Sequence, residues 1–212
     1  MRTVPRGMTL FELLLVLSVL GVVGVLAVPA LSRRGEQASV ETTMQSMVQL
    51  RQAIMGEFRD DMFESLPFPV DPARLAHPQL KFLYDNPDAY LEADPDSVEF
   101  TKRWSYDPLT GRGWSGPYID HGMSVPARYQ VNTNGFTREY GEDGDPAPVD
   151  GWGRPIVLQQ PVPAGVAFSS TSVNYARLVS AGPDGILQTP LIVLEPSEAQ
   201  TGDDLIVYLR NR

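Results

Sequence analysis

Two kinds of carboxylate in this sequence stand where they could do chemistry. Glu12 is alone near the start of an apolar run, and Asp184, Asp203 and Asp204 lie beside glycines in Ser180-Ala181-Gly182-Pro183-Asp184-Gly185 and Thr201-Gly202-Asp203-Asp204. A carboxylate inside an apolar segment is costly to hold and calls for a partner. Carboxylates on sharp glycine turns suit a hard cation, which takes six to eight oxygen ligands at ~2.3–2.6 Å. The same residues also make ordinary turns with no ion present. Glu142-Asp143-Gly144-Asp145 is a rival acidic loop and reads as a solvated one. Other chemistry is poorly supplied. The chain has no Cys, which removes thiolate metal sites, Cys nucleophiles and disulfides. His77 and His121 lie far apart, Gly113-Trp114-Ser115-Gly116 lacks the spacing of a nucleophile elbow, and no acid–His–Ser set assembles. An enzyme is not expected. Nucleic acid is not expected either: 17 Lys and Arg against 26 Asp and Glu give a formal net charge of -9, whereas phosphate binding draws on clustered positive charge. Trp104, Trp114 and Trp152 sit near Gly or Pro and read as pins holding loops to a core.

The element that must position Glu12 is a helix. After Met1-Arg2-Thr3-Val4-Pro5-Arg6-Gly7, a hydrophobic run extends from Met8 to Leu31, interrupted by Glu12, Ser18 and two glycines. As a helix it spans ~36 Å at ~1.5 Å per residue, enough to cross a ~30 Å hydrocarbon core with some tilt. Arg2 and Arg6 favour a cytoplasmic N-terminus with the remainder outside, and Arg33 and Arg34 past the far end reduce that asymmetry. A secretory signal peptide cleaved after Val25-Leu26-Ala27 is the competing reading; it gives Glu12 no role.

Further along, Val40, Met44, Met47, Val48, Ile54, Met55 and Phe58 recur at three- and four-residue steps, which predicts an amphipathic helix continuing the apolar one. The methionines read as core filler. Pro29 removes one i to i−4 hydrogen bond and is expected to kink the helix without ending it. Prolines from Pro67 to Pro126 leave room only for short helical turns, such as one around Leu80 to Leu91. Strand-like runs bounded by turn residues fall at Arg128 to Val131, Pro155 to Gln159, Asn174 to Val179, Leu191 to Leu194 and Leu205 to Leu209. The expected fold class is α+β, a long N-terminal helix packed on a small antiparallel sheet.

Arg6-Gly7-Met8-Thr9-Leu10-Phe11-Glu12, followed by an apolar helix, resembles the class III leader of type IV pilins and type II secretion pseudopilins. In that family a prepilin peptidase cuts after the Gly, methylates the new amine and leaves a Glu as the fifth mature residue. The resemblance implies cleavage between Gly7 and Met8, N-methylation of Met8, a filament-assembly role for Glu12, and a helix-kinking role for Pro29. Met8 stands where the family more often has Phe. Trp114-Ser115-Gly116-Pro117-Tyr118 resembles the Trp-x-Gly-Pro-Tyr turn of major pseudopilins. Asp150-Gly151-Trp152-Gly153-Arg154-Pro155 is similar to their Asp-Pro-Trp-Gly-x-Pro turn, with Gly151 in place of Pro. The two Asp–Gly patterns resemble the arms of their calcium loop. By that likeness the calcium ligands are Asp184, Asp203 and Asp204 with the backbone oxygens of Ala181 and Thr201. Ile186 to Gln200 separates arms that lie close together in the family, either as an added strand beside an intact site or as the loss of that site. Zero Cys agrees with the pseudopilin branch, because pilins lacking this loop commonly close the same region with a disulfide.

The implied organisation is a prepilin leader over 1–7, a transmembrane half-helix over 8–31, an amphipathic periplasmic half over 32–60, and a globular head over 61–212. The implied protein is a structural subunit of the periplasmic pseudopilus that helps drive folded proteins outward. It is single-pass in the inner membrane, N-terminus cytoplasmic and head periplasmic. Its partners are copies of itself, other pseudopilins, the prepilin peptidase, the inner-membrane assembly platform and membrane lipid. Cleavage frees an α-amino group of reference pKa ~7.7–8.0, largely protonated near neutrality, so the amine of a neighbouring subunit can satisfy Glu12 and favour one axial stagger. An intrachain contact with the chain's own amine is the alternative. A minor pseudopilin or a type IV pilin is the near alternative for the whole chain. An exported, calcium-stabilised enzyme or binding protein is the distant one.

Overall fold

The computed structural model describes residues 9–67, 78–87, 104, 106–119, 123–124, 134–142, 144–166, 169 and 171–210. Gly7, Met8, His77, His121 and the expected strand at 128–131 lie outside them. The chain divides into two units, Met1–Ala38 and Ser39–Arg212.

The first unit carries the opening of helix α1 (Leu10–Gln52), and the helix runs through Pro29 without a break. One proline removes a single ladder bond, so it does not end the helix. The leucines and valines between Leu10 and Val23 are exposed, Leu10 at 77% and Leu20 at 60%. Among the residues whose side chains are described, no helix is long and apolar enough to cross a membrane. The side chains of residues 24–32 fall outside that description.

In the second unit, the end of α1 passes into a π-helical segment (Ala53–Phe58) and a last turn, α2 (Arg59–Asp61). Met47, Leu50, Ile54, Phe58 and Met62 are all buried. Steps of four residues drift off one face of a 3.6-residue helix. The wider π turn, with the Arg59 N–H bonded to the Ile54 carbonyl, keeps Ile54, Phe58 and Met62 on the core side. Two expected core residues face outward instead, Met44 at 36% and Val48 at 41% exposed. Leu50 takes their place in the buried stripe.

The core sheet is three antiparallel strands in the order β3 (Val157–Gln159), β4 (Arg177–Ser180), β5 (Leu205–Tyr208). Its register pairs Leu158 with Leu178 and Leu178 with Val207, and on the other face Val157 with Val179 and Val179 with Ile206. The first row packs on Met47, Ile54 and Phe58. The second packs under Phe136, Tyr140, Ala147, Ala181 and Leu187. Both faces are covered, which is why the strands read as apolar runs without clean alternation. A smaller ladder joins β1 (Met123–Ser124) to β2 (Pro146–Ala147). Single turns of 3-10 helix at Leu80–Leu83 and Arg138–Tyr140 and a short α3 (Glu198–Thr201) are the remaining elements among the described residues. The architecture is α+β.

The apolar run Leu191 to Leu194 is not a strand; it forms turns. The carbonyls of Pro190, Val193 and Leu194 accept hydrogen bonds from the buried guanidinium of Arg177 at 2.7, 2.9 and 3.2 Å, so they are not free for a ladder. The acidic loop is not wholly solvated either. Asp145 is buried and pairs with Lys81 Nζ at 2.9 Å. The tryptophan pin is observed at Trp114, whose Nε1 donates to the Phe82 carbonyl at 2.9 Å while its ring meets Tyr118 edge-on at 5.9 Å. Tyr118 in turn donates to Asp61 at 2.9 Å and packs edge-on against Phe58 at 5.1 Å.

Candidate functional site

Glu12 sits in the first turn of α1 and closes a reciprocal cap with Thr9. The Thr9 N–H donates to Glu12 Oε2 at 2.9 Å, and the Glu12 N–H donates to Thr9 Oγ1 at 3.3 Å. The Thr9 hydroxyl also donates to Oε2, at 3.0 Å. Thr-x-x-Glu at a helix start is the capping box, which satisfies two of the helix's orphan donors. Both bonds that the carboxylate accepts go to Oε2, and Oε1 accepts none among the described residues. The cap therefore uses half of the carboxylate's acceptor capacity. Thr9 is a residue of this site beyond those expected, and its three-residue spacing from Glu12 is a local signal of it in the sequence.

The second candidate region is built where three sequence patterns meet. Asp150 is buried and organises its own turn, accepting from the Trp152 and Arg154 N–H groups at 2.9 Å each through Oδ1. Its Oδ2 accepts from the Ser180 hydroxyl at 2.7 Å, which ties the turn to the end of β4. From the same turn the Arg154 guanidinium donates to the carbonyls of Gly182 and, at 3.1 Å, Pro183. The arm Ala181–Gly185 is thus held from below by a fixed cation. Gly182, at φ +57°, lets this arm lie against the other one, since a Cβ there would collide with the Asp203 carbonyl.

The two arms do come together across the insertion. The Asp184 N–H donates to Asp203 Oδ2 at 2.9 Å. Asp204 Oδ2 accepts from the Gln188 N–H at 2.9 Å and from the Thr189 N–H and hydroxyl at 2.6 Å each. Burial pushes the Asp204 carboxyl above the usual carboxylate range, against the pull of those donors, and the Asp203 charge pushes the same way. Asp203 Oδ1 and Asp204 Oδ1 are buried and accept no hydrogen bond among the described residues. Asp184 is committed elsewhere: Oδ1 accepts from the Ile186 N–H and Oδ2 from Gln188 Nε2, both at 2.7 Å. The Ala181 carbonyl accepts the Gly185 N–H at 3.1 Å, and the Thr201 carbonyl the Asp204 N–H at 3.0 Å.

A cation fits this donor set in one respect. Two adjacent carboxylates each leave a desolvated oxygen unbonded, a costly state unless positive charge is supplied. In another respect the set is not assembled. Among the described residues no three acidic or histidine side chains are gathered to hold a metal. Sequence reasoning passed over Gln188 and Arg154, whose partners depend on how the insertion and the turn fold back. No protein-family model matches this chain, and comparison with curated proteins and with solved structures finds no match.

Proposed function

We propose that this chain is a structural subunit of a type II secretion pseudopilus, anchored by its N-terminal helix and assembled through Glu12. The observation that carries the reading is the lone carboxylate of Glu12, with one oxygen unused, on a helix turn where Leu10, Phe11, Leu13 and Leu14 are exposed all round. Such a turn is stable when lipid and neighbouring helices cover it. The free Oε1 is where the amine of a cleaved neighbour would bind, while Thr9 continues to hold Oε2. The residues of the helix do this work by packing and charge, without catalysis, and the chain is the substrate of a processing peptidase. A minor pseudopilin or a type IV pilin subunit would use the same residues in the same way.

The calcium-type loop belongs to the same proposal. Asp203 and Asp204 would hold the ion, with Asp184 recruited from the opposite arm. When bound, calcium supplies the positive charge that the two buried, unbonded oxygens lack. The loop's own residues fix β5 against β4, as a disulfide would in a chain that had cysteines.

The deciding experiment is the N-terminal sequence and mass of the protein purified from membranes. A chain beginning at methylated Met8 is expected. A start near Val28 would instead place the chain among exported proteins with a cleaved signal peptide.

A further inference from the structure

Two helical glycines have no use within their own chain. Gly35 and Gly56 are exposed, and a Cβ built on either would meet nothing within 4 Å. Neither has the positive φ that favours glycine. Glycine inside a helix weakens it relative to alanine, so each destabilises its element with no compensating contact. Each also lies beside unpaired charge. Arg33 and Arg34 precede Gly35; they are exposed, and among the described side chains they make no hydrogen bond or ion pair, not even with Glu36 one turn on. Glu57 and Asp60 follow Gly56, exposed, and their carboxylates are likewise unbonded among the described residues. The charged groups around them are taken. Asp61 accepts from the Ser115 and Tyr118 hydroxyls, while Arg112 donates to the Asp60 carbonyl at 3.3 Å and lies over the Phe63 ring. Gly56, Glu57 and Asp60 line an open groove of about 490 Å³ against the Ser115–Tyr118 turn.

We propose that the Gly56–Asp60 face receives the helix at Arg33–Gly35 of a second copy of this chain. The proposal deepens the assembly reading above and rests on it. Two guanidiniums then meet two carboxylates, and charge-assisted bonds of this kind are the strong ones. Glycine on both sides lets the two backbones approach closely enough for those pairs to form. A face that was merely solvated would need neither glycine. The contact is heterologous: one copy gives its cations to the next, and its own carboxylates stay free for a third. Contacts of this type propagate from copy to copy, and they build an open filament where the rotation does not close a ring.

The test uses the full chain, with filament incorporation read as the fraction recovered in sheared filaments. Arg33→Glu with Arg34→Glu is expected to lower incorporation about tenfold, and so is Glu57→Arg with Asp60→Arg, because like charges then face each other. All four changes together restore the pairing in reverse and should return incorporation to near the wild-type level. Gly56→Leu should melt no lower than wild type in detergent, since its own chain leaves that space empty, and should still reduce incorporation. The chain has no Cys, so Arg34→Cys and Asp60→Cys placed on separate copies should give a cross-linked dimer when membranes are oxidised. Wild-type incorporation of either charge-reversed pair, failure of the four changes to restore it, or absence of the cross-link would overturn the contact and leave the Glu12 reading standing. If wild type forms no filament, the pseudopilus reading falls, and the cross-link alone decides the contact: its presence keeps it and its absence removes it.

Discussion

Gly151 donates its backbone N–H to the Thr43 hydroxyl at 2.8 Å, and Thr43 passes its own proton to the Ser39 carbonyl at 2.7 Å. The turn that carries Asp150 and Arg154 is thereby docked on the helix through the Thr43 side chain. A Cβ at residue 151 would collide with the Ser39 carbonyl. Gly151→Ala should therefore cost about 1–3 kcal/mol, the range for forcing extra atoms into a packed contact. Gly151→Pro, which restores the residue usual in the resembled turn, also removes the N–H and should cost more. Denaturant unfolding of the detergent-solubilised chain measures both. Equal stability of the Ala variant and wild type would mean that helix and turn are not packed as described.

Arg177 is fully buried and anchors the insertion. Its Nε donates to Gln159 Oε1 at 2.9 Å, and its two terminal nitrogens reach the carbonyls of Pro190, Val193 and Leu194. Arg177→Met keeps much of the volume but takes the guanidinium donors from those carbonyls, leaving Pro190 only the Val193 N–H at 3.4 Å, at about 1–3 kcal/mol for each carbonyl that finds no water. The expected outcome is a loss of about 3 kcal/mol in global stability. Limited proteolysis should cut near residues 190–194 sooner than in wild type. Arg177→Lys, with fewer and less fixed donors, should fall between the two.

What could be read from the sequence was whatever a local pattern determines. The three- and four-residue steps found the helix, though they put Met44 and Val48 in the core, where the buried stripe runs through Met47 and Leu50 instead. The strands at Val157, Arg177 and Leu205 were legible as β-branched and leucine runs between turns. Leu191-Ile192-Val193-Leu194 has the same composition, but a buried arginine on β4 takes its carbonyls, and that partner is distant in sequence. Asp145 looked solvated for the same reason, as Lys81 lies far upstream. In the loop, the meeting of the two arms was legible, and the diversion of Asp184 to Gln188 was not. Which of two possible partners a carboxylate takes is settled by the fold of the insertion.

Tyr84, Tyr118 and Tyr140 give the head an alkaline signature. Burial pushes each phenol up from 10.0 to about 12, and at Tyr140 this prevails although Gln159 Nε2 donates to the phenolic oxygen at 2.9 Å. A folded pKa above the unfolded one means the folded state keeps its proton longer. The stabilisation is complete below pH ~10 and is lost as the pH rises from there through ~12. Stability should therefore fall across that window, and Tyr140→Phe should make the fall shallower. Gln159 retains the Thr189 carbonyl at 3.1 Å, so the variant should fold. Melts across the alkaline range check the slope, and an identical slope in the variant would show that Tyr140 titrates as an exposed phenol.

The Thr9–Glu12 cap makes the assembly role of Glu12 separable from its role in the helix. Glu12→Val removes both the charge and the reciprocal cap, so a failure to assemble would be ambiguous. Gln at this position still closes a capping box and still accepts the Thr9 N–H. It offers no charge to a neighbour's amine. Thr9→Ala does the converse, removing the hydroxyl but leaving the carboxylate. If the amine contact drives assembly, Glu12→Gln should be processed normally and left out of filaments as completely as Glu12→Val, while Thr9→Ala should assemble. Immunoblots of sheared filaments against membrane-retained subunit measure the partition. Normal incorporation of Glu12→Gln would reduce Glu12 to a helix cap, and the charge pairing between subunits would have to be abandoned.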